Sequence, residues 1–391
     1  MQRESYIIKQ SIAETSIWKG RAPLLGRLDI ELTERCNNNC IHCCINLPAD
    51  DLDAKKKELS TKQIKGILKE AISLGCLAAR FTGGEPLLRE DFEELYVFAR
   101  KHGLKVILFT NATLMTSHLA ELFARMPPLE KIEVSVYGMN KNSYEAVTGT
   151  PGSFEAAFRG INLLLEYKVP FVVKGAMLPS NKDELEEFEK WSAKVPWMDK
   201  PAFRSMFFDL RCRRNGNKNE VIKKLRLSPE EGLKVLTRKK DKYIGEMKEF
   251  CSKFMHPSGE NLFSCGSGHG GCVDAYGYFQ PCLMLRHPDT VYNLKDGSLK
   301  DALTNFFPKL REIKACNAEY LSRCAKCFLK GLCEQCPAKS WAEHGTLDTP
   351  VEYLCEIAHS QARFLGLIDK SEKAWEVKNW KDRIKKFTGG F

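Results

Sequence analysis

Between Arg27 and about Phe207, short apolar runs take turns with amphipathic stretches. The runs Arg27–Leu32, Leu77–Phe81, Lys105–Phe109, Lys131–Val136, Phe171–Ala176 and Ala202–Phe207 have the length of strands. The segments Thr61–Leu74, Glu90–Lys101, Ser117–Arg125, Ser153–Tyr167 and Lys182–Ala193 are patterned as helices between them. Ser60 or Thr61 supplies a cap for the first helix and Asn181 for the last. Such alternation predicts a parallel sheet with helices packed outside it. Six units are too few for a closed eightfold barrel, so the expected fold is α/β, a partial (β/α)6 TIM-like barrel.

After Phe208 the alternation stops. Arg211–Lys242 is basic and reads as partly helical, and the stretch after Cys251 holds most of the cysteines with few periodic runs. That pattern is expected where metal clusters replace an apolar core. The expected division is an N-terminal segment at 1–23, the barrel at 24–207, a linker at 208–250, a small cysteine-rich domain at 251–366 and a tail at 367–391. The tail sets Trp375 and Trp380 among lysines and reads as a terminal helix packed on its own protein.

Sixteen cysteines among 391 residues change this picture from architecture to chemistry. Met1–Gly20 is polar and charged, unlike an export signal, and no apolar run approaches membrane-spanning length. The expected compartment is therefore the cytoplasm, where thiols stay reduced and clustered cysteines point to metal or catalysis. The net charge of +10 is scattered, with acidic residues among the basic ones, so it marks a solvated surface and gives no support to nucleic-acid binding.

The unusual residues follow strands directly, where βα folds place their ligands. Cys36, Cys40 and Cys43 come after the first strand in a CX3CX2C spacing, with His42 before the third thiol. Thiolates suit zinc or iron–sulfur clusters, and three close thiols leave a fourth position open unless Cys44 or His42 fills it. A zinc knuckle or a redox pair is the plain alternative. Gly83-Gly84-Glu85-Pro86 follows the second strand, Thr110-Asn111 the third, Ser135 closes the fourth and Lys174 lies on the fifth. Glycines let backbone approach a ligand closely, Glu85 can accept a charged hydrogen bond from an ammonium group, and proline sets the turn.

Together these motifs resemble the radical S-adenosylmethionine (SAM) superfamily. The resemblance implies a [4Fe–4S] cluster on Cys36, Cys40 and Cys43, with one iron open to the amine and carboxylate of SAM. It implies that Gly83, Gly84, Glu85 and Pro86 meet the SAM amino group. Asn111, Ser135 and Lys174 would contact its ribose or carboxylate. Reduction then splits SAM into methionine and a 5′-deoxyadenosyl radical that abstracts hydrogen from substrate.

Further along, Cys265, Gly277 and Cys282 are spaced CX11GX4C, and Cys324, Cys327, Cys333 and Cys336 are spaced CX2CX5CX2C, with Cys355 trailing. This resembles the SPASM extension of radical SAM proteins, except that the last gap of the central block is two residues instead of three. The resemblance implies a small iron–sulfur domain with two auxiliary [4Fe–4S] clusters. One would use Cys265, Cys282 and Cys336, with Cys272 or Cys251 as fourth ligand or an open site. The other would use Cys324, Cys327, Cys333 and Cys355. Gly277 would turn a hairpin between ligand-bearing segments. A pair of zinc ribbons has a similar ligand count. Cys44, Cys76, Cys212 and Cys316 carry no assigned chemistry.

Relatives with this extension mostly modify peptides or proteins, as in sulfatase maturation and ribosomal peptide crosslinking, which makes a peptide or protein the expected substrate and ferredoxin or flavodoxin the expected reductant. A tetrapyrrole-modifying enzyme and a non-catalytic iron–sulfur electron carrier are the two other readings.

Overall fold

The computed structural model describes residues 25–389 except 44, 200–201, 206–215 and 266–269. The expected N-terminal segment at 1–23, Cys44, Cys212 and the end of the sixth predicted strand lie outside the described residues.

Six parallel strands form the barrel: β1 (Arg27–Thr33), β2 (Ala78–Gly83), β3 (Lys105–Thr110), β4 (Ile132–Ser135), β5 (Phe171–Ala176) and β6 (Phe203–Ser205). The predicted helices are observed at Thr61–Ser73, Phe92–Lys101, Ser117–Arg125, Ser153–Glu166 and Leu185–Ser192. Ser60 caps the first of them in a reciprocal box with Gln63. Asn181 does not cap the last one. Its buried amide instead accepts from Leu178 N at 2.8 Å and donates to the carbonyls of Ala176 and Tyr137, which ties the end of β5 to the chain after β4.

Three further strands, β7 (Gly271–Val273), β8 (Tyr278–Gln280) and β9 (Tyr292–Asn293), come from the cysteine-rich region. They extend the same sheet, giving the order β9-β8-β7-β1-β2-β3-β4-β5-β6. β7 runs parallel to β1, and the three pair antiparallel among themselves. Gly277 makes the β7–β8 turn with φ +94°, and Asp274 accepts the N–H groups of Tyr276 and Tyr278 across it.

Side chains alternate across β1 as a strand requires. Leu28, Ile30 and Leu32 enter the main apolar core, while Asp29, Glu31 and Thr33 face the other way and are buried too. The segment between β6 and β7 is helical at Gly216–Lys224, Pro229–Leu236 and Lys240–Phe254. The tail ends in a helix, Trp380–Thr388, that packs on the protein through a second core containing Tyr243, Phe328 and Ile384. Trp380 stacks on Phe328 at 5.9 Å. Among the described residues, no helix is long and apolar enough to cross a membrane.

Candidate active site

A cavity of about 540 Å³ opens at the C-terminal ends of the barrel strands. It is lined by Cys36, Cys40 and Cys43, by Gly83 and Gly84, and by Asn111, Ser135 and Lys174. Residues from five successive strand ends therefore meet, as the rule for βα folds requires. Glu85 and Pro86 stand behind the wall.

The cysteine loop is anchored on several sides. Arg35, just before Cys36, forks onto Glu58 at 2.8 and 3.1 Å in a buried pair. Arg35–Cys36 also pairs with Leu47–Pro48, closing the base of the loop. Asn39 N and Ile41 N donate to the carbonyls of Thr148 and Val147 at the end of the helix Lys141–Thr148. Gly84 N and Glu85 N donate to the carbonyls of Thr33 and Arg35 at 2.8 and 2.9 Å. These glycines hence allow backbone to lie against backbone: a Cβ on Gly83 or Gly84 would fall 2.1 or 2.2 Å from those same oxygens.

Glu85 is fully buried and turned inward. Its carboxylate accepts from Thr110 Oγ1 at 2.8 Å, Asn111 N at 2.7 Å and Leu87 N at 3.1 Å. Burial raises its pKa to about 7 in spite of those donors. The side chain is thus engaged behind the cavity wall and does not line the cavity, where the resemblance implied a contact with the ligand ammonium. Asn111 Nδ2 lies 3.1 Å from Asn37 Oδ1 and 3.7 Å from Cys36 Sγ, and its Oδ1 accepts from Thr113 N. Lys174 pairs with Glu133 at 2.6 Å and sits 3.2 Å from the centre of the Phe109 ring. Ser135 lies in the cavity wall at the end of β4.

The Cys36 and Cys40 thiols are held in their neutral form by their surroundings. Burial, then the Glu85 charge, pushes Cys36 up to about 12, and burial with repulsion from Cys43 and Cys36 pushes Cys40 well up. A cation at the site would reverse this, since metal binding deprotonates thiols. His42 packs edge-on to Tyr137 at 5.0 Å, and burial lowers it to about 4, so it lines the cavity uncharged.

Several cavity residues escaped the reading of the sequence. Glu31, Arg80, Thr82 and Phe109 face inward from β1, β2 and β3. The signal was the alternation in strands such as Leu28-Asp29-Ile30-Glu31, where every second position is polar although the strand is central. Asn38, inside the cysteine loop, also lines the cavity. Both of its amide atoms are buried without a hydrogen-bond partner among the described residues. An orphaned amide beside three thiols fits a group that brings its own acceptors and donors.

Cys324, Cys327, Cys333 and Cys355 line a second, smaller cavity of about 30 Å³ with Arg323, His359 and Trp375. Burial, then the charges of its neighbours, raises Cys324 to about 12 and Cys327 to about 11. Cys265, Cys282 and Cys336 share a third neighbourhood: burial first, and then among other causes the charge of Cys265, raises Cys282, burial with a smaller push from Cys282 raises Cys336, and Lys330 feels both Cys265 and Cys336. Cys272 is fully buried on β7, in register with Asp29 and Gln280 and therefore on the polar face of the sheet. The amide of Gln280 is fully buried with neither atom partnered among the described residues. Cys251 sits in the second core with Tyr243 and Phe328. Among the described residues, no three Cys, His, Asp or Glu side chains converge at the distances of a single metal ion.

The sequence profile of the Radical SAM superfamily matches residues 30–192, the span that supplies most of the cavity lining. This chain carries a radical SAM domain. Such a domain implies a [4Fe–4S] cluster and SAM, and the donor set of Cys36, Cys40 and Cys43 with the orphaned Asn38 fits them. The AdoMet-dependent heme synthase of Methanosarcina barkeri is 28% identical over 340 residues, covering 81% of this chain and 92% of that protein. The mycofactocin maturase MftC of Mycolicibacterium smegmatis is 28% identical over 317 residues, covering 76% of this chain and 74% of that one. The structure of native anSMEcpe with bound AdoMet and a Cp18Cys peptide has a TM-score of 0.60 at 18% identity, covering 94% of this chain and 100% of that one, which shows a shared fold. The cysteine-rich C-terminal region of this radical SAM enzyme fits a SPASM extension.

Proposed function

We propose that this radical SAM enzyme modifies a peptide or protein by abstracting hydrogen from it. The cavity, where Cys36, Cys40 and Cys43 face Gly83, Gly84, Asn111 and Ser135 across one space, supports the hydrogen abstraction, and the similarity to the mycofactocin maturase supports the peptide substrate. A [4Fe–4S] cluster held by Cys36, Cys40 and Cys43 would supply the electron for reductive cleavage of SAM. The chain's own residues hold the thiol loop rigid, through Arg35, Asn37 and Asn111, and present the backbone of Gly83-Gly84 to the cofactor. Tyr137, His42 and Phe109 give the space apolar walls that keep water from a reactive centre. The other two cysteine groups, Cys265, Cys282, Cys336 with Cys272, and Cys324, Cys327, Cys333 with Cys355, would hold auxiliary [4Fe–4S] clusters, whose chemistry there would be to accept the substrate's electron. Reductant arrives from a ferredoxin or flavodoxin in the cytoplasm.

Anaerobic reconstitution tests the reading. About 12 irons per chain are expected, for three four-iron clusters, with reductive conversion of SAM to 5′-deoxyadenosine. Intact SAM under reduction would instead support an electron carrier. The heme synthase relative, matched over 92% of its length, favours a second reading in which the substrate is a tetrapyrrole. Incubation with an iron porphyrin separates the two: a shifted porphyrin absorption band and deuterium transfer from the macrocycle into 5′-deoxyadenosine would displace the peptide reading.

A further inference from the structure

The last helix and the segment before it have no place in the chemistry above, yet they end at one cysteine. Arg383, on the helix Trp380–Thr388, holds Glu372 at 2.7 Å and so pins the segment that carries Ala374 and Trp375. Ala374 N donates to His359 Nε2 at 3.2 Å. A ring nitrogen that accepts carries no proton, so neutral His359 keeps its proton on Nδ1. That N–H points at Cys355, one helical turn earlier, with Nδ1 2.9 Å from its carbonyl oxygen and 3.5 Å from its sulfur. Trp375 packs edge-on against His359 at 5.4 Å, and its ring lies 4.7 Å from the Arg323 guanidinium. Arg323 Nη2 donates to Cys355 Sγ at 3.6 Å, and the fork is fixed from behind by Glu352 at 2.8 Å and by Glu319. Cys355 Sγ thus receives the permanently cationic Arg323 as a donor and a share of the His359 N–H, whose nearer acceptor is the Cys355 carbonyl, in a half-buried pocket where hydrogen bonds count for more than in water.

We propose that Arg323 and His359, held by the C-terminal segment through Ala374 and Trp375, act as positioning residues that raise the reduction potential of the cluster at Cys324, Cys327, Cys333 and Cys355. This rests on the reading that these four thiols bind a cluster. Hydrogen bonds to a ligating sulfur and a nearby positive charge both stabilise the reduced, more negative cluster. The consequence is direction: a cluster with a raised potential accepts an electron from a substrate radical and is slow to return it.

A potentiometric titration followed by electron paramagnetic resonance, on the full-length anaerobically reconstituted protein, tests the proposal. Arg323→Gln should move one cluster's midpoint to a more negative value and leave the others in place. Arg323→Lys, which keeps the charge and loses the fork, should shift it less, and His359→Phe should shift it in the same direction. Unchanged midpoints in Arg323→Gln and His359→Phe at full iron content would overturn the proposal. Should Arg323→Gln lose iron, Arg323→Lys and His359→Phe decide it. A Cys324→Ala/Cys327→Ala variant that keeps the iron content of the wild type would mean that the cluster reading itself is wrong, which the iron assay distinguishes from a failed shift.

Discussion

Arg286 and Glu31 meet at 2.6 Å across 255 residues of sequence. Glu31 is 1% exposed, and Arg286 also reaches Asp274 at 3.4 Å. Arg286 follows Cys282 by four residues, so the pair fastens the segment that carries this cysteine to the first barrel strand. Removing the cation takes the 2.6 Å ionic partner from a buried carboxylate, which costs about 3–5 kcal/mol. Arg286→Met should therefore lower stability by that order in anaerobic urea denaturation, and the Glu31→Leu/Arg286→Met pair should regain most of it. A single variant as stable as wild type would show the bridge to be dispensable.

Gly84 and Gly66 should respond in opposite senses to alanine. A Cβ on Gly84 would sit 2.2 Å from the carbonyl oxygen of Arg35, so the loop that ends in Cys36 must shift. Overpacking of this kind costs about 1–3 kcal/mol, and iron bound at the Cys36 loop should fall with it. Gly66 lies on the helix Thr61–Ser73, and a methyl group there would meet nothing within 4 Å. Gly66→Ala should stabilise by about 0.5–1 kcal/mol through helix propensity. Thermal unfolding of both variants checks the contrast.

Cys36 and Cys333 separate cofactor cleavage from turnover. Cys36→Ala should abolish formation of 5′-deoxyadenosine, because its thiol is in the cavity of the radical SAM domain. Cys333 lies in the other pocket, with Cys324, Cys327 and Cys355. Its loss should leave part of the cleavage and stop product formation. Equal loss of both activities in Cys333→Ala would assign that cluster a structural task.

How much of this was legible follows from the length of each signal. β5 and the helix Ser117–Arg125 are where the hydrophobic pattern puts them, because six to nine residues of one period suffice. The strands β7 to β9 are two or three residues long and carry no readable period, so the extension of the sheet past β1 was hidden. The helix Lys141–Thr148 was missed too. Only Tyr144, Ala146 and Val147 are apolar, and its evidence lies in the cap Asn140 and the left-handed Gly149. At the site, the cysteines and glycines stood out by type and spacing. The direction of Glu85 did not, since an acid after two glycines reads alike whether it faces a ligand or the strand behind it.

Glu85 offers a pH test of that direction. Its folded pKa of about 7 stands above the ordinary value of 4.5, and burial is the leading cause. Below 4.5 the carboxyl is protonated whether the chain is folded or not. Between 4.5 and 7 the folded chain keeps a proton that the unfolded chain has released, so stability falls as pH rises, by about 3 kcal/mol over the whole window. Glu85→Gln removes the titration. It also sets an amide NH₂ near the Asn111 or Thr110 donor, so the variant should be less stable at low pH. The gap between wild type and Glu85→Gln should narrow by about that 3 kcal/mol between about pH 5 and about pH 8 in denaturant unfolding. A gap that stays constant across that range would place the carboxylate in contact with water or ligand, facing the cavity after all.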